Sequence, residues 1–233
     1  MLGVFPKFLF YIIIITVIII INCYMILGWE KTKELLAKYQ IPMVESLVIE
    51  SLGQGIAFAQ KTGWPVVLKL VSNDVLHKID KGLVKLNLQN EQQLDTAFRE
   101  LRKEHPSSSE GEIIIQKQVG GIEIFIGMKR DKSFGPVVGF GLGGVFVEVL
   151  NDVVFGVCPL AENEALSMVK SIKGYKILQG YREQEKVDIN KLADVLVAVS
   201  RLAIENGDIK EIDFNPVFAN GDVVAVADAK MML

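Results

Sequence analysis

The sequence predicts an α+β protein built as two lobes. Three observations carry this. Segments of helical and of strand periodicity are mixed along the chain. A Pro-Ser-Ser-Ser tract at 106–109 separates them into two runs, the second richer in strands. At 233 residues the chain is long enough for two small domains with cores of their own.

The elements follow in order. The first 29 residues carry one charge, Lys7; from Phe8 to Trp29 isoleucine dominates and Asn22 is the one strongly polar side chain. About 20 apolar residues is the length that spans a bilayer. No small-residue cleavage site follows, which argues against a secretory signal. Lys31, Lys33 and Lys38 on the C-terminal flank outnumber Lys7, so a span would leave the main domain in the cytoplasm. The competing reading takes Met25 as the true start and the preceding run as AT-rich upstream DNA read as protein. Under both readings 1–29 is an apolar leader and the working part begins near Glu30.

Residues 30–39 read as a short helix with Leu35, Leu36 and Tyr39 on one face, ended by Ile41-Pro42. A strand is expected at 44–49, a helix at 52–61 closed by Thr62-Gly63, and strands at 66–71 and 84–88. Asn90, with Gln93 three residues on, signals an N-cap for a helix carrying Leu94, Phe98 and Leu101. Residues 30–108 form the first lobe. The second, 109–233, opens with apolar runs at 113–119 and 122–129 around Gly120-Gly121, which read as a hairpin. Strands at 137–140 and 145–149 flank the glycines of FGLGG, and another follows at 153–157. Helices are expected at 162–172 and after Asp188, the latter with Leu192, Leu196, Val199 and Ala203 along one side. Strands at 209–214 and 223–227 around Asn220-Gly221 close the chain.

Composition excludes several functions. With 25 basic and 28 acidic residues, net charge −3, the chain lacks the basic excess of a nucleic-acid binder. Two cysteines, Cys23 and Cys158, in unrelated settings exclude a disulfide scaffold and a cysteine-ligated zinc site. Two histidines leave little room for a polyhistidine metal site.

Three constellations can carry chemistry. Lys69 interrupts an apolar strand, a costly place for an ammonium unless it meets an anion such as a phosphate. The plainer reading is an edge-strand lysine with its head in water. Just after it, His77, Lys78, Asp80, Lys81 and Gly82 group an imidazole that can take a phosphoryl group with cations that bind phosphate; a plain surface loop is the alternative. Next, FGLGG at 140–144 offers close backbone approach to phosphate, or simply a tight turn; no Gly-Lys-Ser/Thr P-loop is present. Last, Glu211, Asp213 and Asn215 alternate with Ile212 and Phe214, which places three oxygen-bearing side chains on one strand face. A two-residue turn at Asn220-Gly221 would set Asp213 opposite Asp228, and opposed carboxylates call for a cation such as Mg²⁺ between them. A solvated polar face is the alternative.

Taken in order, WPVVLKLVS, LHKIDKG, GIEIFIGMKRDKSFGPVVGFGLGGVFVEVLNDV, CPL and KEIDFNPV closely resemble the ATP-grasp domain of the β subunit of ADP-forming acetyl-CoA (acyl-CoA) synthetases, a group related to the succinyl-CoA synthetase β subunit. The resemblance runs from about residue 30 to the C-terminus, and its long central stretch is the most specific. It implies an ATP-grasp fold whose two lobes clamp a nucleotide, ATP or ADP, with Mg²⁺. It implies that Lys69 contacts nucleotide phosphates, helped by Lys78 and Gly82, that Gln116 to Val119 receive adenine, and that Glu123 belongs to the nucleotide lobe. His77 matches the histidine of the family's H-K-S-D stretch, which passes a phosphoryl group from a phosphohistidine of the α subunit to ADP. Asn215 and Asp228 match Mg²⁺ ligands, and Asp213 an acidic residue near the transfer site. The implied reaction is acyl-CoA + ADP + phosphate ⇌ free acid + CoA + ATP, run in the cytoplasm with a CoA-binding α subunit, in the family a heterotetramer.

Two departures stand out. Ile79 replaces the family's serine, and Leu83 replaces its second glycine, where bulk would hinder approach of backbone to phosphate. These favour the alternative of a catalytically degenerate module that senses nucleotide or serves as a scaffold.

Overall fold

The computed structural model describes residues 25–71, 82–104, 111–144, 152–180 and 185–233. In chain order its elements begin α1 (Trp29–Lys38), β1 (Ser46–Val48), α2 (Leu52–Thr62), β2 (Val66–Val71), β3 (Val84–Leu88), α3 (Glu91–Glu104) and β4 (Glu112–Lys117). They continue β5 (Ile122–Asp131), β6 (Gly135–Leu142), β7 (Val153–Val157), α4 (Glu162–Ser171), α5 (Tyr175–Leu178), α6 (Ile189–Glu205), β8 (Glu211–Asn220), β9 (Val223–Val226) and β10 (Ala229–Met232).

The strands form two antiparallel sheets. The first has the order β1-β4-β2-β3. Its β2 and β4 are runs of branched apolar residues, which suit a pleat buried on both faces. Period 2 sorts the side chains: Leu68, Leu70, Ile113 and Ile115 pack with Phe58, Leu94 and Leu101 of α2 and α3, while Lys69 and Gln116 belong to the opposite face. Truncating a residue as buried as Leu68 costs about 2–5 kcal/mol. Helix α2 starts on a capping box between Ser51 and Gln54, and Asn90 Oδ1 accepts from the Gln93 N–H at 3.0 Å, as its spacing promised.

The second sheet has the order β10-β8-β5-β6-β7, with β9 paired to β8. Helices α4 and α6 cover one face. Asp188 caps α6, whose buried stripe includes Leu192, Leu196, Val199 and Ala203. The far end of α6 is closed by Arg130 of β5, whose guanidinium donates to the carbonyls of Ala203, Asn206 and Ile209 and so satisfies groups a helix end leaves open.

Several expectations need correction. β4 and β5 are not a hairpin: β4 pairs with β1 and β2, β5 with β6 and β8, and the Gly120-Gly121 segment crosses between sheets. Gly121 fits there because a Cβ would lie 2.6 Å from the Ala219 carbonyl oxygen. A boundary at 108/109 therefore falls one strand early, since β4 completes the first sheet. Helix α1, placed in the first lobe from sequence, packs Leu36, with Tyr39 and Ile41 beyond it, into the core of the second. Residues 25–29 are not leader: the Leu27 N–H donates to Met231 O and the Leu233 N–H to Met25 O, so they extend the edge of β10. Residues 1–24, and the strand expected at 145–149, lie outside the described residues. Among the described residues no helix is long and apolar enough to cross a membrane. Helix α5 and strand β10 had no sequence signal strong enough to separate them from their neighbours.

Candidate functional site

The face of the second sheet turned from its helices carries the polar row expected on β8. Ile212 and Phe214 are buried, Glu211 and Asp213 half-buried, and Asn215 exposed. The register differs from expectation by two residues. The tight turn falls at Gly221-Asp222, where Gly221 takes φ +56 and Asn220 pairs with Val223. In consequence Asp213 faces Lys230, an opposite charge, and not Asp228. Asp228 instead comes beside Asn215, whose N–H donates to the Asp228 carbonyl at 3.2 Å, and the Asp228 N–H in turn approaches Pro216 O at 3.3 Å. The residues linked by resemblance to Mg²⁺ are thus neighbours, one on β8 and the other in the β9–β10 connection.

Lys69 reaches this row from the other sheet. The residue is 4% exposed, and its Nζ donates to the Ala227 carbonyl at 2.6 Å. Asp228 Oδ1 lies 3.5 Å away and the Trp29 ring centroid 4.3 Å away. An ammonium taken from water needs such partners, because its desolvation costs several kcal/mol. Gln116, equally buried, donates from Nε2 to the same Ala227 oxygen at 3.1 Å. β4 ends at Lys117, whose N–H donates to Glu45 O; beyond it the Gln118 N–H donates to Pro65 O, and half-buried Val119 lies on the crossover.

Glu123 stands apart on β5, exposed, beneath the glycine run. The Gly143 N–H donates to Glu123 O at 2.6 Å, and Gly144 turns at φ +60 with its Cα so near that a Cβ would sit 2.5 Å from Glu123 Oε2. The glycines here make room for a carboxylate of their own chain. Gly82 is exposed at φ +69. Leu83 points its side chain into the core of the first lobe, 2% exposed, so its bulk is absorbed there and not projected outward. His77, Lys78, Ile79 and Asp80 lie outside the described residues.

The donor set fits Mg²⁺. Asp213 and Asn215 on β8 and Asp228 in the β9–β10 connection offer hard oxygens, suited to an ion that keeps waters and shares phosphate oxygens. Among the described residues no three His, Cys, Asp or Glu side chains gather into a cage that would hold a metal unaided.

This arrangement can be compared with known proteins. The family described as ATP-grasp domain matches residues 24–233. The chain belongs to the ATP-grasp family. Within that family it is 43% identical over 208 residues to the β subunit of ADP-forming acetate–CoA ligase I from Pyrococcus furiosus, covering 87% of this chain and 90% of that one. It is 42% identical over 206 residues to ADP-forming acetate–CoA ligase I of Archaeoglobus fulgidus, where the match covers 83% of this chain but 30% of that longer protein. Relatives thus carry this ATP-grasp region both as a separate β subunit and as part of a larger chain. Among solved structures, acetyl-coenzyme A synthetase 1 of Ca. Korarchaeum cryptofilum in complex with coenzyme A, Ca-AMPCP and HgCl⁺ superposes with TM-score 0.84 at 40% identity, covering 91% of this chain and 95% of that one. A second structure of that enzyme, with coenzyme A and Mg-AMPPCP and its phosphohistidine segment pointing towards the nucleotide binding site, gives TM-score 0.77 at 41% identity, covering 89% and 92%.

Two groups that meet Lys69 at this junction escaped the sequence. The Ala227 carbonyl is a backbone group, which side-chain reasoning does not register. Trp29 was hidden at the end of the apolar run, although Trp29, Thr32 and Leu36 share the buried face of α1 at helical spacing.

Proposed function

We propose that this chain is the nucleotide-binding β subunit of an ADP-forming acyl-CoA synthetase, working with a CoA-binding α subunit in the cytoplasm to convert acyl-CoA, ADP and phosphate into free acid, CoA and ATP. The observation that carries the reading is the meeting of Lys69 with Asp228 across two sheets, beside Asn215 and Asp213. It puts a desolvated cation and hard oxygen donors at one junction, as phosphoryl transfer requires.

In this reading Lys69 neutralises the phosphates of ADP, the segment from Gln116 to Val119 receives adenine, and Glu123 lines the second lobe. Asn215 and Asp228 would hold Mg²⁺, which supplies charge neutralisation at the phosphate oxygens. Asp213, two residues along the same face, borders the reacting phosphate. Lys78 and Gly82 follow His77 in the chain, and the imidazole of His77 takes the phosphoryl group from the α subunit's phosphohistidine: one N–P bond breaks as another forms. The second transfer breaks the His77 N–P bond as a terminal oxygen of ADP forms the new P–O bond, leaving neutral histidine and ATP. The α-subunit partner accords with the relatives, one a β subunit by name and the other a longer chain. We further assign the assembly as a heterotetramer, which sedimentation of the two subunits together tests.

The deciding experiment mixes this chain with its α partner and follows ATP formation from acyl-CoA, ADP and phosphate. His77→Ala should abolish synthesis while leaving nucleotide affinity within about threefold; unchanged turnover would reject the relay.

A further inference from the structure

Three described residues stand at the Lys69 ammonium, and the proposed function accounts for the two between β9 and β10, Ala227 and Asp228. The third, Trp29, is the first residue of α1, 2% exposed, with its ring centroid 4.3 Å from Nζ. Its helix belongs to the core of the second lobe through Leu36, whereas Lys69 belongs to the first sheet. The ring is therefore fixed from one lobe and the cation from the other. Its Nε1 is buried and meets no acceptor among the described residues. Packing alone would be served better by a side chain without that donor.

We propose that Trp29 is a positioning residue for Lys69: its indole face holds the ammonium at the junction while the nucleotide's phosphate exchanges with the Ala227 carbonyl and Asp228. The physical case is one of competition. A carboxylate holding the lysine opposes an incoming phosphate, because both are anions seeking the same cation. An indole face attracts the ammonium through its quadrupole and carries no net charge. It also occupies one side of a group with three N–H donors, leaving the others to be shared between protein and ligand. A desolvated site is where such an attraction is strongest. The inference rests on Lys69 being a phosphate ligand.

The test is calorimetric titration of the full chain with AMPPCP and Mg²⁺. Lys69→Met should weaken binding at least tenfold. Trp29→Met, which keeps apolar bulk but removes the π face, should weaken it roughly 5- to 30-fold. Trp29→Phe, which restores a π face and removes the unpartnered N–H, should recover affinity to within about threefold of wild type with no loss of melting temperature. In a Lys69→Met background, Trp29→Met should add less than about twofold, since the two act through one contact. Because Trp29→Met could fail to fold, a shape-preserving series completes the test. Mono-, di- and trifluorotryptophan incorporated in a Trp64→Phe chain should lower affinity stepwise as fluorine drains the ring face. A flat fluorine series, or additive effects in the double variant, overturns the positioning role while leaving Lys69 as a ligand. Failure of wild type to bind AMPPCP removes the ligand reading itself, and the positioning role with it.

Discussion

The two sheets treat their facing polar residues in opposite ways. The first buries them: Lys69 and Gln116 are each 4% exposed and both bond to a single oxygen of the other sheet. The second leaves its own partly open: Asp213 and Asp228 are half-buried and Asn215 is exposed. Burial suits a long cation whose stem lies along apolar strands. Hard oxygen donors that must take up a hydrated ion need access to water. The difference teaches that the junction is asymmetric by charge and by wetness, and that neither sheet offers a phosphate site by itself.

The sharpest way to break that contrast is to remove the cation. Lys69→Met should lower ATP synthesis with the α subunit by about 10²- to 10³-fold, the scale expected when a preorganised electrostatic contact is lost. Its melting temperature should change little, because the relief of the ammonium's desolvation offsets the lost contacts with Ala227 O and with Asp228, which stays open to water. A fall of several degrees in thermal denaturation would make the lysine a structural strut and erase the contrast. A smaller effect probes the open sheet. Gly144→Ala places a Cβ at φ +60 and against Glu123, and should cost about 1–2 kcal/mol in denaturant unfolding. It should weaken nucleotide binding only if Glu123 serves the site. The smallest effect lies away from the junction. Asp131 accepts the Phe134 and Ser133 N–H groups in the β5–β6 turn, which holds its carboxyl below its ordinary value of 3.8. A depressed carboxyl stabilises the fold above its unfolded pKa and loses that contribution as pH falls through the folded one. Asp131→Ala should therefore be slightly less stable than wild type at pH 6, with the gap closing as the pH drops below 4 in thermal melts. A gap independent of pH would mean the turn is held by something other than the carboxylate.

Much of the fold was legible because local signals and burial agree. Strand 66–71 and the helix after Asn90 stand where an apolar run and a capping signal put them. The failures share a physical cause, that pairing partners are distant in sequence. Gly120-Gly121 has the chemistry of a hairpin turn, yet β4 finds better partners in β1 and β2. At 220–222 the turn was located, but a shift of two residues preserves which side chains face which way, so alternation could not reveal that Asn215, not Asp213, meets Asp228. In the site, Lys69 was legible because a charge amid branched apolar residues demands an explanation. Trp29 was not, because an aromatic closing an apolar run invites none. The glycines of FGLGG left a phosphate cradle and a plain tight turn both open; the described part of that turn lies against Glu123.

The acceptor shared by Lys69 and Gln116 is the main-chain oxygen of residue 227. No side-chain replacement at that position can delete it, so the latch between the halves is insulated from ordinary genetic drift there. The peptide that carries this oxygen leads directly into Asp228, which couples any swing of one half to the backbone that also presents that carboxylate.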